Sequence, residues 1–209
     1  MMAVKVIGAG LAGCEAAWQI ANAGFAVNLY EMKPQKYSPA HHYSGMAELV
    51  CSNSLKAARV ESAAGLLKAE MERLGSLIIP CAKQTQVEAG GALAVDREKF
   101  SDLVTEKIKS HPLINVISEE VGSFPEENAI IATGPLTSGN LAASINEKCG
   151  DYLSFFDAAA PIVTYDSLDK DKVFFASRYG RGDADYINCA MNKEEYELFY
   201  NELINAESA

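Results

Sequence analysis

Val4-Lys5-Val6-Ile7-Gly8-Ala9-Gly10-Leu11-Ala12-Gly13 decides how the chain begins to fold. The first four residues are an apolar run that reads as a short buried strand. Gly8 to Gly13 is a Gly-x-Gly-x-x-Gly turn. Cys14-Glu15-Ala16-Ala17-Trp18-Gln19-Ile20-Ala21 then reads as a helix, and Phe25-Ala26-Val27-Asn28-Leu29-Tyr30 as a second strand ending in Glu31. Each part has a task in a dinucleotide site. Gly8 permits the tight turn, Gly10 lets the backbone approach a pyrophosphate, and Gly13 lets the helix pack close to the strand. Ala9, Leu11 and Ala12 complete the turn, and the helix N-terminus faces the negative charge. Glu31 lies 18 residues past Gly13, where an acid accepts from ribose hydroxyls. A glycine-rich βα turn without a ligand is the plainer reading of such a motif. Both strands and the acid favour the dinucleotide.

A second signal lies at Ala132-Thr133-Gly134, at the end of the apolar run Ala129-Ile130-Ile131-Ala132. A strand ending in Ala-Thr-Gly about 120 residues after the glycine turn recurs in two-dinucleotide-binding-fold flavoproteins. Its glycine lets the strand end pass close to the cofactor. The pair of signals favours FAD over NAD, and assigns Thr133 and Gly134 to the cofactor.

Between these signals, Lys33 to Ser54 has no clear period. It contains Pro34, Pro39, His41-His42, Gly45 and Cys51-Ser52-Asn53-Ser54. A loop of this length inside a compact domain is often functional. Cys51 is the candidate nucleophile. A thiolate is the side chain here that adds readily to an electron-poor ring carbon. The alternative is a buried structural thiol. His41 and His42 are read as proton carriers or flavin neighbours, or as ordinary hydrogen-bonding residues.

Further on, Ala63 to Leu74 reads as a helix with Leu66, Leu67, Met71 and Leu74 on one side, closed by Gly75. Gly90-Gly91 marks a turn. Asp96 caps a helix with Phe100, Leu103, Val104 and Ile108 at helical spacing, ended by Pro112. Leu113 to Ile117 and Ala129 to Ala132 are strands, and Ser138 to about Lys148 is a helix. Past Gly150 the pattern turns β-rich, in Pro161 to Tyr165 and Val173 to Ala176. Glu194 to Glu207 then reads as an acidic helix with Tyr196, Phe199, Tyr200 and Leu203 on one face. Arg178-Tyr179-Gly180-Arg181-Gly182 combines basic, aromatic and flexible residues, as a phosphate or base contact or as a solvated turn. The fold class is therefore α/β: a Rossmann-like FAD-binding domain over 1–145, then the start of a second α+β domain over 146–209; the resemblance given below implies that the first is incomplete and the second inserted.

Composition narrows the function. The chain has 209 residues, 49% hydrophobic and 22% charged, enough for a sizeable core and against wholesale disorder. No apolar run approaches the ~20 residues that cross a bilayer. With the glycine turn so near the N-terminus, no signal peptide is read and the chain is expected to be cytoplasmic. The five cysteines, Cys14, Cys51, Cys81, Cys149 and Cys189, form no C-x-x-C pair. No metal site is indicated, and most are expected to be buried apolar residues. Net charge is −10, against a generic nucleic-acid binder. The charge is uneven, however. Asp183 to Ala209 carries −6, whereas Glu31 to Pro80 carries +1, so a polyanion is less disfavoured there.

Five segments carry a resemblance: GAGLAGCEAA (8–17), SPAHHYSGMAELVCSNSL (38–55), GGALAVDR (90–97), ATGPLTS (132–138) and FFASRYGRGDADYIN (174–188). Together they resemble the folate- and FAD-dependent tRNA (uracil-5-)-methyltransferases, known as TrmFO and formerly Gid. The resemblance implies transfer of a one-carbon unit from 5,10-methylenetetrahydrofolate to C5 of the T-loop uridine of tRNA. Reduced FAD supplies the electrons and NAD(P)H reduces the flavin. A cysteine matching Cys51 lies near the flavin and is the candidate to attack uracil C6. The related FAD-dependent tRNA wobble-uridine modification protein shares the glycine turn, but ELVCSNSL argues against it. Other readings are ribosomal RNA as substrate and a non-catalytic flavin-binding module. The resemblance also implies a chain about twice as long, with a second functional cysteine and a further strand of the FAD domain beyond residue 209. The 209 residues alone are therefore expected not to methylate RNA. Lesser departures from the family pattern are Lys56 in place of Arg and Ala190 in place of Pro. Lys does not reproduce a bidentate Arg contact.

Overall fold

The structure is a computed structural model and describes residues 3–150, 163–177, 180 and 183–207. It divides into two compact units: residues 1–87 with 92–160, and residues 88–91 with 161–209.

The first unit is built on a parallel sheet. Its strands are β1 (Val4–Ile7), β2 (Val27–Glu31), β6 (Ile114–Ser118) and β7 (Ala129–Ile131), in the spatial order β6-β2-β1-β7. All three pairings are parallel. Val6, Val27 and Leu29 are buried completely or nearly so, as expected of central strands covered on both faces. Helix α1 (Leu11–Asn22) crosses from β1 to β2 and buries Gly13, Cys14, Ala17 and Ala21 against the sheet. These small residues let helix and strand approach closely.

A three-stranded antiparallel sheet of β3 (Ser54–Ala57), β4 (Gln86–Val87) and β5 (Ala92–Val95), in the order β3-β5-β4, accompanies it. So do α2 (Ala63–Arg73), α3 (Ile78–Gln84), α4 (Arg97–Ser110) and α5 (Gly139–Cys149). The Asp96 side chain caps α4 by accepting from the Lys99 amide, and Phe100, Val104 and Ile108 lie fully buried one turn apart. At the start of α3 the Glu15 carboxylate of α1 accepts from the amides of Leu77 and Ile78 and from the Ser76 hydroxyl. One carboxylate thus serves orphan donors of a neighbouring helix and ties α3 to α1.

The second unit holds an antiparallel hairpin of β8 (Val173–Ala176) and β9 (Tyr186–Cys189), followed by α6 (Lys193–Ile204) with an Asn192/Glu195 capping box. The Asp185 carboxylate and the Tyr186 hydroxyl bind residues 88–91 to it, through the Gly90 amide at 2.6 Å and the Ala89 carbonyl at 3.1 Å.

Several expected elements appear within three residues of their sequence bounds: β1, α1, β2, α2, α4, β6, β7, α5, β8 and α6. Three details differ. The leucines that the sequence sets on one side of α2 lie outward: Leu66, Leu67 and Leu74 are exposed, Leu74 by 75%. That helix packs instead through Gly65, where a Cβ would lie 1.8 Å from the Arg59 carbonyl oxygen, and only a bare glycine fits so close. On α6, Tyr196, Phe199, Tyr200 and Leu203 are likewise exposed. Of the strand expected over Pro161 to Tyr165, the first two residues lie outside the described ones. Val163 and Thr164 are irregular and Tyr165–Ser167 is a 3-10 turn. Of the 178–182 segment only Gly180 is described. The strands β3, β4, β5 and β9 and the short helix α3 were not read from the sequence.

Candidate functional site

The strand order places a switch point between β1 and β7. β1 connects through α1 to β2 on one side, while β7 lies on the other. In open α/β sheets ligands bind outside the carboxyl ends of the strands at such a point. A cavity of about 310 Å³ lies there. Its lining includes Gly8, Ala9, Gly10, Leu11 and Ala12 of the glycine turn, Glu31 at the end of β2, and Thr133 and Gly134 after β7. Eight of the nine residues assigned to the cofactor thus meet in one place. Gly13 does not line the cavity. It is buried behind the turn, where a Cβ would sit 1.7 Å from the Gly8 carbonyl oxygen.

The glycines have separate reasons. Gly8 has φ +96°, and a Cβ on it would meet the Ala132 carbonyl at 2.7 Å, so both conformation and close approach demand glycine. Gly10 has ordinary extended backbone (φ −72°) and open space around its Cβ position. Nothing in the protein requires a glycine there, whereas a ligand lying against the turn would. This cradle fits a dinucleotide phosphate. The amides of the first turn of α1 lack intrahelical acceptors, and no acid stands in that turn.

Glu31 is held from two sides. Its carboxylate accepts from the Ala9 amide at 2.8 Å and from the Lys33 amide at 3.0 Å, one oxygen each. Each oxygen keeps a further lone pair for a ligand hydroxyl.

The segment after Glu31 is an ordered wall, although its sequence shows no period. Lys33 is only 6% exposed. Its ammonium donates to the carbonyls of Tyr43 (3.0 Å) and Gly45 (2.5 Å) and to the Glu48 carboxylate (3.2 Å). Three protons meet three acceptors, which is what makes a buried ammonium tolerable. The other Glu48 oxygen accepts from the amides of His42 (2.9 Å) and Tyr43 (3.0 Å). Burial pushes the Glu48 carboxyl up. The two amides and the Lys33 ammonium outweigh that and hold it below the ordinary value of 4.5. The Ala47 amide donates to the Ala9 carbonyl, and the Ser101 hydroxyl donates to the Met46 carbonyl, pinning the segment to the glycine turn and to α4. Lys33 was not singled out in the sequence. Its only signal is its place two residues after the cofactor acid, at the head of the unperiodic loop.

His41, Glu48 and Val50 line the cavity; His42 does not and is exposed. His41 Nδ1 is hydrogen-bonded to the Ser38 hydroxyl. Burial, then the nearby Lys33 ammonium, lowers its pKa below 6.5. The folded state therefore favours the neutral ring. Its stabilising contribution is complete above pH 6.5 and is lost as pH falls through the depressed value. A pH titration of the histidine ring resonances should show His41 with its midpoint below 6.5; a midpoint above 6.5 would contradict the buried, cation-facing ring.

Cys51 does not line the cavity. It is exposed, one residue beyond Val50, so the buried structural thiol is not what is found. Cys149 and Cys189 are also exposed, against the expectation that most cysteines are buried. The truly buried ones are Cys14 and Cys81. Cys14, with its thiol on the Ala9 carbonyl, is pushed up to about 12 by burial and by Glu31, and is inert as a nucleophile. Among the described residues, no group of three or more His, Cys, Asp or Glu is placed to hold a metal ion. No described helix is long and apolar enough to cross a membrane.

Comparison with known proteins bears on this site. Methylenetetrahydrofolate–tRNA-(uracil-5-)-methyltransferase TrmFO of Acetivibrio thermocellus is 63% identical over 99% of this chain and 48% of its own length. The proteins of the same name from Geobacter sulfurreducens and Desulfitobacterium hafniense are 61% and 59% identical over 98% and 100% of this chain, again with 48% of their own lengths. The chain spans about half the length of the curated relatives it matches. Among solved structures, Aquifex aeolicus GidA aligns with a TM-score of 0.49 and 19% identity over 60% of this chain and 21% of that chain, too slight a likeness to build on. Residues 3–209 match the family described as glucose inhibited division protein A. On that match, which runs through the glycine turn, the cavity wall and the second unit alike, the chain belongs to the glucose inhibited division protein A family.

Proposed function

We propose that this chain is the flavin-binding and base-activating part of a folate- and FAD-dependent tRNA (uracil-5-)-methyltransferase. It corresponds to the N-terminal half of such an enzyme. The observation that carries the reading is the convergence of the glycine turn, Glu31 and Thr133-Gly134 on one cavity whose wall leads directly to Cys51. In this reading the first-turn amides of α1 receive the pyrophosphate of FAD and Glu31 receives a ribose hydroxyl. Thr133 and Gly134 bound the cofactor on the β7 side. Residues 1–145 form the flavin domain and 146–209 begin an inserted second domain. FAD, when bound and reduced by NAD(P)H, supplies the two electrons that turn a methylene-level carbon into a methyl group.

The chain's own chemistry is at Cys51. Uracil C5 is a poor carbon nucleophile. Addition of the Cys51 thiolate to C6 makes C5 enolate-like, able to bond to the one-carbon unit from 5,10-methylenetetrahydrofolate. As the C5 proton is lost, the bond from the one-carbon unit to the folate nitrogen breaks and tetrahydrofolate leaves; a hydride equivalent then fills the resulting exocyclic methylene, and expulsion of the Cys51 thiolate from C6 restores the ring. The substrate is the T-loop uridine of tRNA, and the near-neutral 31–80 region meets its phosphates more readily than the acidic C-terminal stretch.

The test is to join the chain to the remaining half of the Acetivibrio thermocellus relative. The fusion is supplied with FAD, NADPH, methylenetetrahydrofolate and unmodified tRNA, with ribosomal RNA in a parallel arm. Expected are a yellow protein and 5-methyluridine in tRNA by mass spectrometry. A colourless fusion that makes no 5-methyluridine would overturn the reading, and product in ribosomal RNA alone would change the substrate.

A further inference from the structure

We propose that Lys33 and Glu48 are positioning residues, whose buried ion pair folds the 38–50 segment against the cavity and thereby fixes where the Cys51 thiol stands, one residue beyond the cavity wall. This rests on the reading of the cavity as a flavin site and of Cys51 as the reacting thiol. The pair is well enclosed, with side chains 5% and 11% exposed. The ammonium draws in the carbonyls of Tyr43 and Gly45, while the carboxylate gathers the amides of His42 and Tyr43. The chain must therefore turn around the pair, since backbone groups from both arms of the turn end on the same two side chains.

Three further contacts decide where the turn leads. Ala47 is joined to the glycine turn through the Ala9 carbonyl at 2.9 Å. Leu49 is buried in the core, and Val50 lines the cavity. Beyond the thiol, Asn53 pairs with Val95 of β5, its carbonyl accepting at 2.9 Å and its side chain donating at 3.2 Å. Cys51 thus hangs between two fixed points, Glu48-Leu49 and Asn53. Only the first of these is set by side-chain charge. Lys33 is also two residues from Glu31, so the cofactor acid and the clasp share one short stretch of backbone. Loss of the ammonium leaves the Lys33 amide on Glu31 intact, because that bond is made by the backbone. The Glu31 contact is thereby separable from the clasp, although Lys33 and Glu48 line the cavity themselves.

The experiment measures Cys51 labelling by a thiol reagent in the full chain with Cys149→Ser and Cys189→Ser, which removes the other exposed thiols. Labelling is followed without FAD, and FAD binding is measured separately by flavin fluorescence. In Lys33→Met, and independently in Glu48→Gln, labelling of Cys51 in the FAD-free chain should rise by about threefold or more, because the segment that carries it is no longer held. Both side chains also line the cavity, so FAD binding is expected to weaken as well and does not decide. A general structural defect would open the buried Cys14 and Cys81 to the reagent too, so faster labelling of Cys51 alone marks positioning. Glu48→Gln keeps the side-chain shape, and if one chain fails to fold the other decides. An unchanged Cys51 rate in a folded variant would overturn the positioning role and leave the flavin reading intact. A parent that binds no FAD would overturn both.

Discussion

Gly10→Val should abolish flavin retention while leaving the protein folded. Its Cβ would meet no protein atom within 4 Å, and its backbone is ordinary for an L-residue. The cost to the apo-protein is that of a poorer N-cap, under about 1 kcal/mol. The branched side chain would instead stand where the pyrophosphate approaches. Overpacking of this kind costs about 1–3 kcal/mol. Since ~1.4 kcal/mol is tenfold in affinity, FAD should bind roughly 10- to 100-fold more weakly and be lost on purification. Gly13→Ala is the contrasting control, because its Cβ would fall 1.7 Å from the Gly8 carbonyl oxygen and must push the turn apart. That variant should lose FAD and fold stability together, by about 4–5 kcal/mol if the turn cannot yield. Visible absorbance and thermal unfolding of the two variants separate the cases. A yellow Gly10→Val protein with normal FAD content would falsify the assignment of the turn to the cofactor.

Cys51→Ala should have the opposite profile. The thiol is exposed and outside the cavity lining, so FAD content should be unchanged and stability should move by no more than about 0.5 kcal/mol. Methyl transfer by the fusion to the Acetivibrio thermocellus half should fall by several orders of magnitude, as removal of a covalent nucleophile does elsewhere. Near-normal methylation of unmodified tRNA by Cys51→Ala would return this residue to a surface thiol. Two substitutions on neighbouring elements thus test separate parts of the proposal, cofactor binding at the turn and base activation at the loop.

The glycine turn, its two strands and Glu31 were legible because each is a local requirement. The φ of +96° at Gly8 and the acid at the end of β2 leave marks in residue type and spacing. Thr133-Gly134 was legible for the same reason, as a strand end whose glycine has φ +68°. Helix α4 was legible from its cap and period. The 33–53 loop was legible only as an irregularity. What orders it is a lysine whose partners are mostly backbone carbonyls and amides, and backbone groups are the same at every residue. No spacing rule announces them.

The sequence by itself therefore determined the Rossmann-like start, the place of the cofactor signals along the chain and the family. Tertiary structure alone decided that Ala9 and Glu31 share a hydrogen bond and that Lys33 is buried. It also decided that Cys51 lies outside the cavity lining and that Leu66, Leu67 and Leu74 face outward. The physical reason is range. Turn conformation, capping and strand alternation act between residues a few positions apart. Burial and ion pairing depend on which distant segments the fold brings against a side chain. The inward face of α2 shows the difference most plainly: its period marked the leucines, but the close approach at Gly65 chose the other side.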